Sequence, residues 1–266
     1  MRPRARVPSP AVALLAALAT FVAAGASPAA GQEFRRERVR PALPDELGRI
    51  EYDGRLTFAR VRFEPRSAWQ GWAGGMPAWG HDYPRAERNF MRILGEITTA
   101  RAFIDGSRIV DLDDPDLFRF PIAYLCEPGH WTLTDAEAAA LRNYMLKGGF
   151  VIFDDFSGYD WGNFEQMMDR VLPGVQLLPM ELDHPVFHAF FEIESLDILE
   201  SYRGRSAEFY GVFRDNDPSE RLLAIVNYNT DIGDYWEYSD VGWLPVDLSN
   251  EAYKLGVNYW MYALTH

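Results

Sequence analysis

Two adjacent carboxylates close the stretch Lys147 to Gly158, KGGFVIFDDFSG, where strand-forming apolar residues give way to a turn. There Asp154 and Asp155 have the chemistry of a general base or of cation ligands. Side chains alternate along a strand, so one of the pair is expected to face a crevice. The other is left to cap the turn or accept backbone N–H groups. The turn EPGHW brings Glu127 and His130 together around Pro-Gly, suited to proton shuttling or to holding a metal beside Asp155. A third group lies in SAWQGWAGGMPAWGHDYP, Ser67 to Pro84, which is long for an α/β connection, rich in glycine, and carries Trp69, Trp72, Trp79, His81, Asp82 and Tyr83. Indoles in such a loop can stack on sugar rings or another apolar ligand. The candidate catalytic residues are therefore Asp154, Asp155 and His130. The candidate ligand-binding residues are Trp72, Trp79, His81, Asp82, Tyr83 and Glu127, and a divalent metal is the cofactor such a set could take.

Other strings carry less chemistry. Cys126 lacks the small flanking residues and following helix of a nucleophile elbow, and reads as a buried strand-end residue. His184 and His188 in DHPVFHAF have i,i+4 spacing but no accompanying glutamate, so packing is expected there. NYNTDIGD, from Asn227, matches a calcium loop only in its first oxygen ligands. DLDDPD (111–116) reads as a solvated acidic turn. No phosphate-binding glycine loop, dinucleotide fingerprint, G-x-S-x-G elbow or CxxC pair occurs.

These groups need elements to hold them. RLTFARVRF (55–63), RAFI (101–104), PIAYLC (121–126) and FVIFDD (150–155) read as strands, as do the later VQLLPM, AEFYGVFR and LLAIVNY. Helical spacing joins Phe90, Ile93, Leu94 and Ile97, and again Phe164, Met167, Met168 and Val171. Thr134 and Glu137 have capping-box spacing, and Gly148-Gly149 ends that helix. A closing helix is expected over 249–264. Alternating strands and helices predict an α/β fold: a mainly parallel sheet with helices on both faces, in three layers. Ligands of such sheets bind outside the carboxyl ends of the strands, where the three candidate groups would meet.

The 266 residues are 48% hydrophobic, enough for a substantial core, and carry a net charge of −13. MRPRAR, the apolar run AVALLAALATFVAA and GASPAAG have the pattern of a signal peptide over 1–31. Residues 32–54 read as a linker or arm, and 55–266 as a single α/β domain. Losing the leader removes three arginines and no acid, so −13 becomes −16. Export to the periplasm or medium is expected, with no membrane span after cleavage. Nucleic acid is a poor partner for so acidic a chain. Cys126 is the lone cysteine, which rules out an internal disulfide.

DYPRAERNF, then EPGHW followed by LTDAEAAALRNYMLKGGFVIFDD, then DHPVFHAFF, resemble in that order the bacterial domain-of-unknown-function 4159 family, over roughly residues 55–265. The resemblance implies a glutamine amidotransferase-like, flavodoxin-like fold and no established reaction. The cysteine–histidine–glutamate set of amidotransferases is not recognisable, and that activity is not expected. Two functions follow as expectations. The first is a non-catalytic module binding a small molecule, a carbohydrate or an envelope protein. The alternative is a metal-assisted hydrolase using the strand-end aspartates and histidines.

Overall fold

The computed structural model describes residues 51–66, 76–197 and 205–266. Trp69, Trp72, the leader and nearly all of the arm lie outside the described residues. Among the described residues nine strands are formed: β1 (Ala59–Arg62), β2 (Glu64–Pro65), β3 (Arg108–Asp111), β4 (Ile122–Cys126), β5 (Trp131–Thr132), β6 (Phe150–Phe156), β7 (Leu178–Pro179), β8 (Glu208–Phe213) and β9 (Leu222–Tyr228). The α-helices are α1 (Arg85–Ile97), α2 (Asp135–Leu146), α3 (Asp160–Val171), α4 (Ile232–Glu237) and α5 (Val246–Thr265).

Seven strands make one sheet in the order β3-β1-β4-β6-β9-β8-β7. The first five run parallel, while β8 and β7 close one edge antiparallel. By order of appearance the parallel strands read 2-1-3-4-5, a doubly wound arrangement with its switch point between β1 and β4. Because helices cover both faces, β6 is buried along its whole length and reads as a continuous apolar run rather than an alternation. Phe150 and Ile152 enter the core under α1, α4 and α5, with Phe90, Trp236 and Tyr259. Val151 and Phe153 enter the other, with Leu141 and Met145 of α2 and Phe164 and Met168 of α3. Each such fully buried large apolar side chain contributes about 1.5–3 kcal/mol relative to exposure.

The capping box of α2 forms as its spacing predicts: Glu137 N–H donates to Thr134 Oγ1 (3.1 Å) and Thr134 N–H to Glu137 Oε2 (2.7 Å). α1, α3 and β9 match the sequence reading closely. RAFI does not: only Ala102 bridges, to Leu56, and the strand beside β1 is RIVD, just before the acidic turn. Within DLDDPD, Asp111 instead ends β3 and pairs with Arg62, and Asp114 caps the turn that follows. VQLLPM contributes only the two residues of β7. The short helix α4 has no counterpart in the sequence reading, since six residues including Gly233 are too few to show a period. No helix among the described residues is long and apolar enough to cross a membrane.

Candidate functional site

At the carboxyl ends of β1, β4, β6 and β9, acidic groups converge. His81 Nδ1 lies 2.7 Å from Asp155 Oδ2, 3.2 Å from Asp82 Oδ1 and 3.9 Å from Asp231 Oδ2. The thiol of Cys126 points at Asp155 Oδ2 (3.6 Å) and Asp82 Oδ2 (3.9 Å). Two sets of side chains offer ligand atoms within 4.8 Å of one another: His81, Asp82, Cys126 and Asp155, and His81, Asp82, Asp231 and Asp234. Opposite ligands on one oxygen-bound cation stand about 4–5 Å apart, so each set has the span to enclose an ion.

Local structure explains how the groups arrive. His81 and Asp82 end the long loop after β1. The buried guanidinium of Arg60, on β1, donates to the carbonyls of Trp79 (3.0 Å) and His81 (2.7 Å) and pairs with Glu87 of α1. Trp79 packs in the core beneath the loop. Asp82, Glu127 and Asp155 all have left-handed backbones, with φ of 64°, 54° and 61°. Such φ is unfavourable for side chains other than glycine, and strained residues of this kind collect at functional sites.

Simple alternation would send Asp155 to the face opposite Asp154. Instead the register with β9 shifts between Phe153 and Phe156, and the positive φ swings Asp155 over Cys126 and His81. Asp154 stays buried and works as a scaffold. Its oxygens accept from Tyr124 Oη (2.7 Å), Asn227 Nδ2 (3.0 Å) and the backbone N–H of Gly233 (3.0 Å), with Ile232 N–H at 3.4 Å. Burial lifts its carboxyl to about 7 against the pull of those donors. The bonds draw the start of α4 onto the sheet edge, where Asp231 caps it by accepting from Asp234 N–H (2.9 Å). Only glycine fits at 233: a Cβ there would stand 2.4 Å from Asp82 Oδ2 and 2.7 Å from Tyr124 Oη.

The electrostatics follow from placing many acids in one dry corner. Burial, then the neighbouring carboxylates, push Asp82 and Asp231 well above the usual aspartate range, and Asp234 upward as well. Burial opposes the imidazolium of His81, but the hydrogen bond to Asp155 and the charges of Asp82, Asp155 and Asp234 prevail and hold it up to about 10. Burial and the same acids raise the Cys126 thiol, so it is neither a thiolate nor an activated nucleophile. The side chain of Asp82 is fully inaccessible, and its Oδ1 has no hydrogen bond, only the 3.2 Å contact with the His81 imidazole. An oxygen left so is costly unless a proton or a cation satisfies it.

Glu127 and His130 form a second unit at the rim, Oε2 to Nε2 at 3.3 Å. Burial raises Glu127, which also feels Asp155 and His81, and its carboxylate raises His130. The left-handed turn out of β4 belongs to Glu127, so the residue presented there is a carboxylate and not the cysteine.

Among the sequence candidates, His81, Asp82 and Asp155 come together, with Glu127 and His130 beside them. His130 belongs to neither set of converging ligand atoms, and His81 holds the place beside Asp155. Trp79 is packed rather than open to a ligand, and Tyr83, half-buried, has its ring 5.9 Å from the Arg60 guanidinium. His184 caps a turn through Val186 N–H (3.1 Å), and His188 binds Leu182 O (2.6 Å) and Glu192 (2.8 Å), both structural roles. The sequence reading missed Asp231 and Asp234, which sit in the NYNTDIGD string. The usable signal was a second apolar strand, LLAIVNY, running straight into carboxylates at the same sheet edge. No curated protein matches the chain. A family model described as a domain of unknown function, DUF4159, matches residues 57–264, and the chain belongs to that family.

Proposed function

We propose that the chain is an exported hydrolase that works with a divalent cation held at the His81, Asp82, Asp155, Asp231 and Asp234 cluster. One observation carries this reading: a buried aspartate, Asp82, has an oxygen with no hydrogen bond, facing the His81 imidazole at 3.2 Å, inside a group of carboxylates whose atoms have the span of a coordination shell. A bound cation would acidify a water ligand and polarise the bond to be cut. The chain's own residues do the rest. Glu127, with burial raising its proton affinity, accepts a proton from water at the rim, and His130 hands one to the leaving group. The neutral Cys126 packs beneath and takes no covalent part, which sets this chemistry apart from amidotransfer.

The test compares the mature protein with Asp155→Asn and Glu127→Gln, using p-nitrophenyl phosphate and p-nitrophenyl acetate with Mn2+ or with chelator. We expect cation-dependent turnover that disappears in Asp155→Asn along with the metal. In Glu127→Gln, kcat should fall by about 10²–10⁴ while the metal is kept, the usual worth of a general base. Absence of both metal binding and turnover would remove the hydrolase.

A second reading, a binding module without turnover, has its own support. Trp243 is 76% exposed and stacks on Tyr238 at 4.9 Å, and Tyr238 feels the charges of Asp234 and Asp82. An open aromatic pair beside an acidic site suits a sugar ring. Metal bound with no turnover, together with Trp243 fluorescence quenched by oligosaccharides, would favour it.

A further inference from the structure

The geometry points to a centre for two divalent cations, bridged by Asp82, and this deepens the cation reading proposed above and rests on it. The two sets of converging side chains share His81 and Asp82 and differ otherwise, one adding Cys126 and Asp155, the other Asp231 and Asp234. An imidazole nitrogen serves one ion. His81 Nδ1 stands nearest Asp155, at 2.7 Å, which assigns His81 to the ion on the β6 side. A carboxylate can serve two ions, one through each oxygen. The two oxygens of Asp82 face different neighbours: Oδ1 is 3.2 Å from His81 Nδ1, and Oδ2 is 3.9 Å from the Cys126 thiol and close against Gly233 of α4. Asp82 Oδ1 is buried without a hydrogen bond, and the group it meets, the His81 nitrogen, is itself a ligand atom of the same set.

Charge decides between one ion and two. Asp82, Asp155 and Asp231 are buried and Asp234 is partly so, while the only basic side chain in either set is His81, which is neutral as a ligand. The buried guanidinium of Arg60 is already paired with Glu87. With all four carboxylates ionised, as ligands are, one divalent cation leaves two uncompensated negative charges in a dry pocket, whereas a second brings the sum to zero. Uncompensated buried charge is the dearer arrangement. Apart from the neutral Cys126 thiol, the donors are carboxylate oxygens and one imidazole, a set suited to Mg2+ or Mn2+ rather than to a thiolate-seeking metal. Two-metal hydrolytic centres hold their ions about 3.5–4 Å apart, the separation a single bridging carboxylate sets.

Equilibrium dialysis with Mn2+ alone, followed by electron paramagnetic resonance of the saturated protein, reads the stoichiometry and the bridge together. Two Mn2+ per chain with an exchange-coupled spectrum is the expected result. The Asp231→Asn/Asp234→Asn double variant should hold one, with the spectrum of an isolated ion. Saturation at one Mn2+ in the unaltered protein overturns the two-cation centre and leaves the hydrolase reading standing. Two uncoupled ions overturn the Asp82 bridge, and two ions still bound by the double variant overturn the assignment of α4. No Mn2+ bound at all overturns both this inference and the hydrolase reading, and circular dichroism of each sample shows whether a variant has kept its fold.

Discussion

Arg60 and Glu87 link the core to the site at the scale of single residues. Both side chains are almost completely inaccessible, and they neutralise one another between β1 and α1. Burial opposes the charged form of each, but the partner's charge more than offsets this for Arg60, whose guanidinium is held charged, while for Glu87 burial prevails and lifts the carboxyl. Removing one partner strands a buried charge, so Glu87→Ala is expected to cost about 3–5 kcal/mol in urea denaturation. Replacing both, as Arg60→Met with Glu87→Leu, removes the desolvation penalty but takes the donor from two carbonyls, so it is expected to cost less than Glu87→Ala, about 1–3 kcal/mol. The same double variant frees the carbonyls of Trp79 and His81, so cation affinity should fall as well. A double variant that binds Mn2+ as tightly as the original would show that Arg60 does not position the loop.

Away from the site, the single turn Pro185–Phe187, which packs on α5, is open to pH through its cap. His184 caps it by accepting Val186 N–H at Nδ1, so the imidazole must be neutral with its proton on Nε2. Burial lowers its proton affinity and the charge of His266 adds to this, with Asp183 opposing. Protonation destroys the acceptor. The unfolded chain takes up the proton first, so stability is full above about pH 6.5 and falls as pH drops below it toward the depressed folded value. The loss should approach about 1 kcal/mol, the scale of a lost helix cap. Subtracting the stability–pH profile of His184→Ala isolates it, and identical slopes for the two proteins from pH 7 to 5 would sink the assignment. This element also shows what sequence can carry. Helices with long periods or a capping box, such as α1, α2 and α3, declare themselves through local spacing. In the sequence His184 reads as a packing residue and not as a cap, because its partner is a backbone N–H that no residue type announces. Asp155 was legible as a strand-end acid, but its direction depends on a bulge set by pairing with β9. Asp231 and Asp234 reach the site only because β9 lies beside β6, and strand order is not written in any local stretch.

For the molecule as a whole, five carboxylates (Asp82, Asp154, Asp155, Asp231 and Asp234) sit at one end of a chain that is already strongly acidic. Folding drives them together at the edge where the parallel strands end, and there Asp154 has amide and hydroxyl donors on both its oxygens while the others have fewer such partners. The apolar layers around β6 must therefore carry the cost of this corner whenever no cation is present. A cation that binds only the folded chain stabilises it by mass action, about 2.7 kcal/mol at a hundred times its dissociation constant. For a domain of this size that corresponds to a rise in Tm of roughly 5–10 °C. The rise should appear with Mn2+ or Mg2+, vanish with chelator, and be absent in Asp155→Asn. Potassium chloride at matched ionic strength should give much less, since screening acts weakly on buried charges. An equal rise with potassium chloride, or an undiminished one in Asp155→Asn, would mean that general screening of an acidic surface is responsible, and not a site at the ends of β1, β4, β6 and β9.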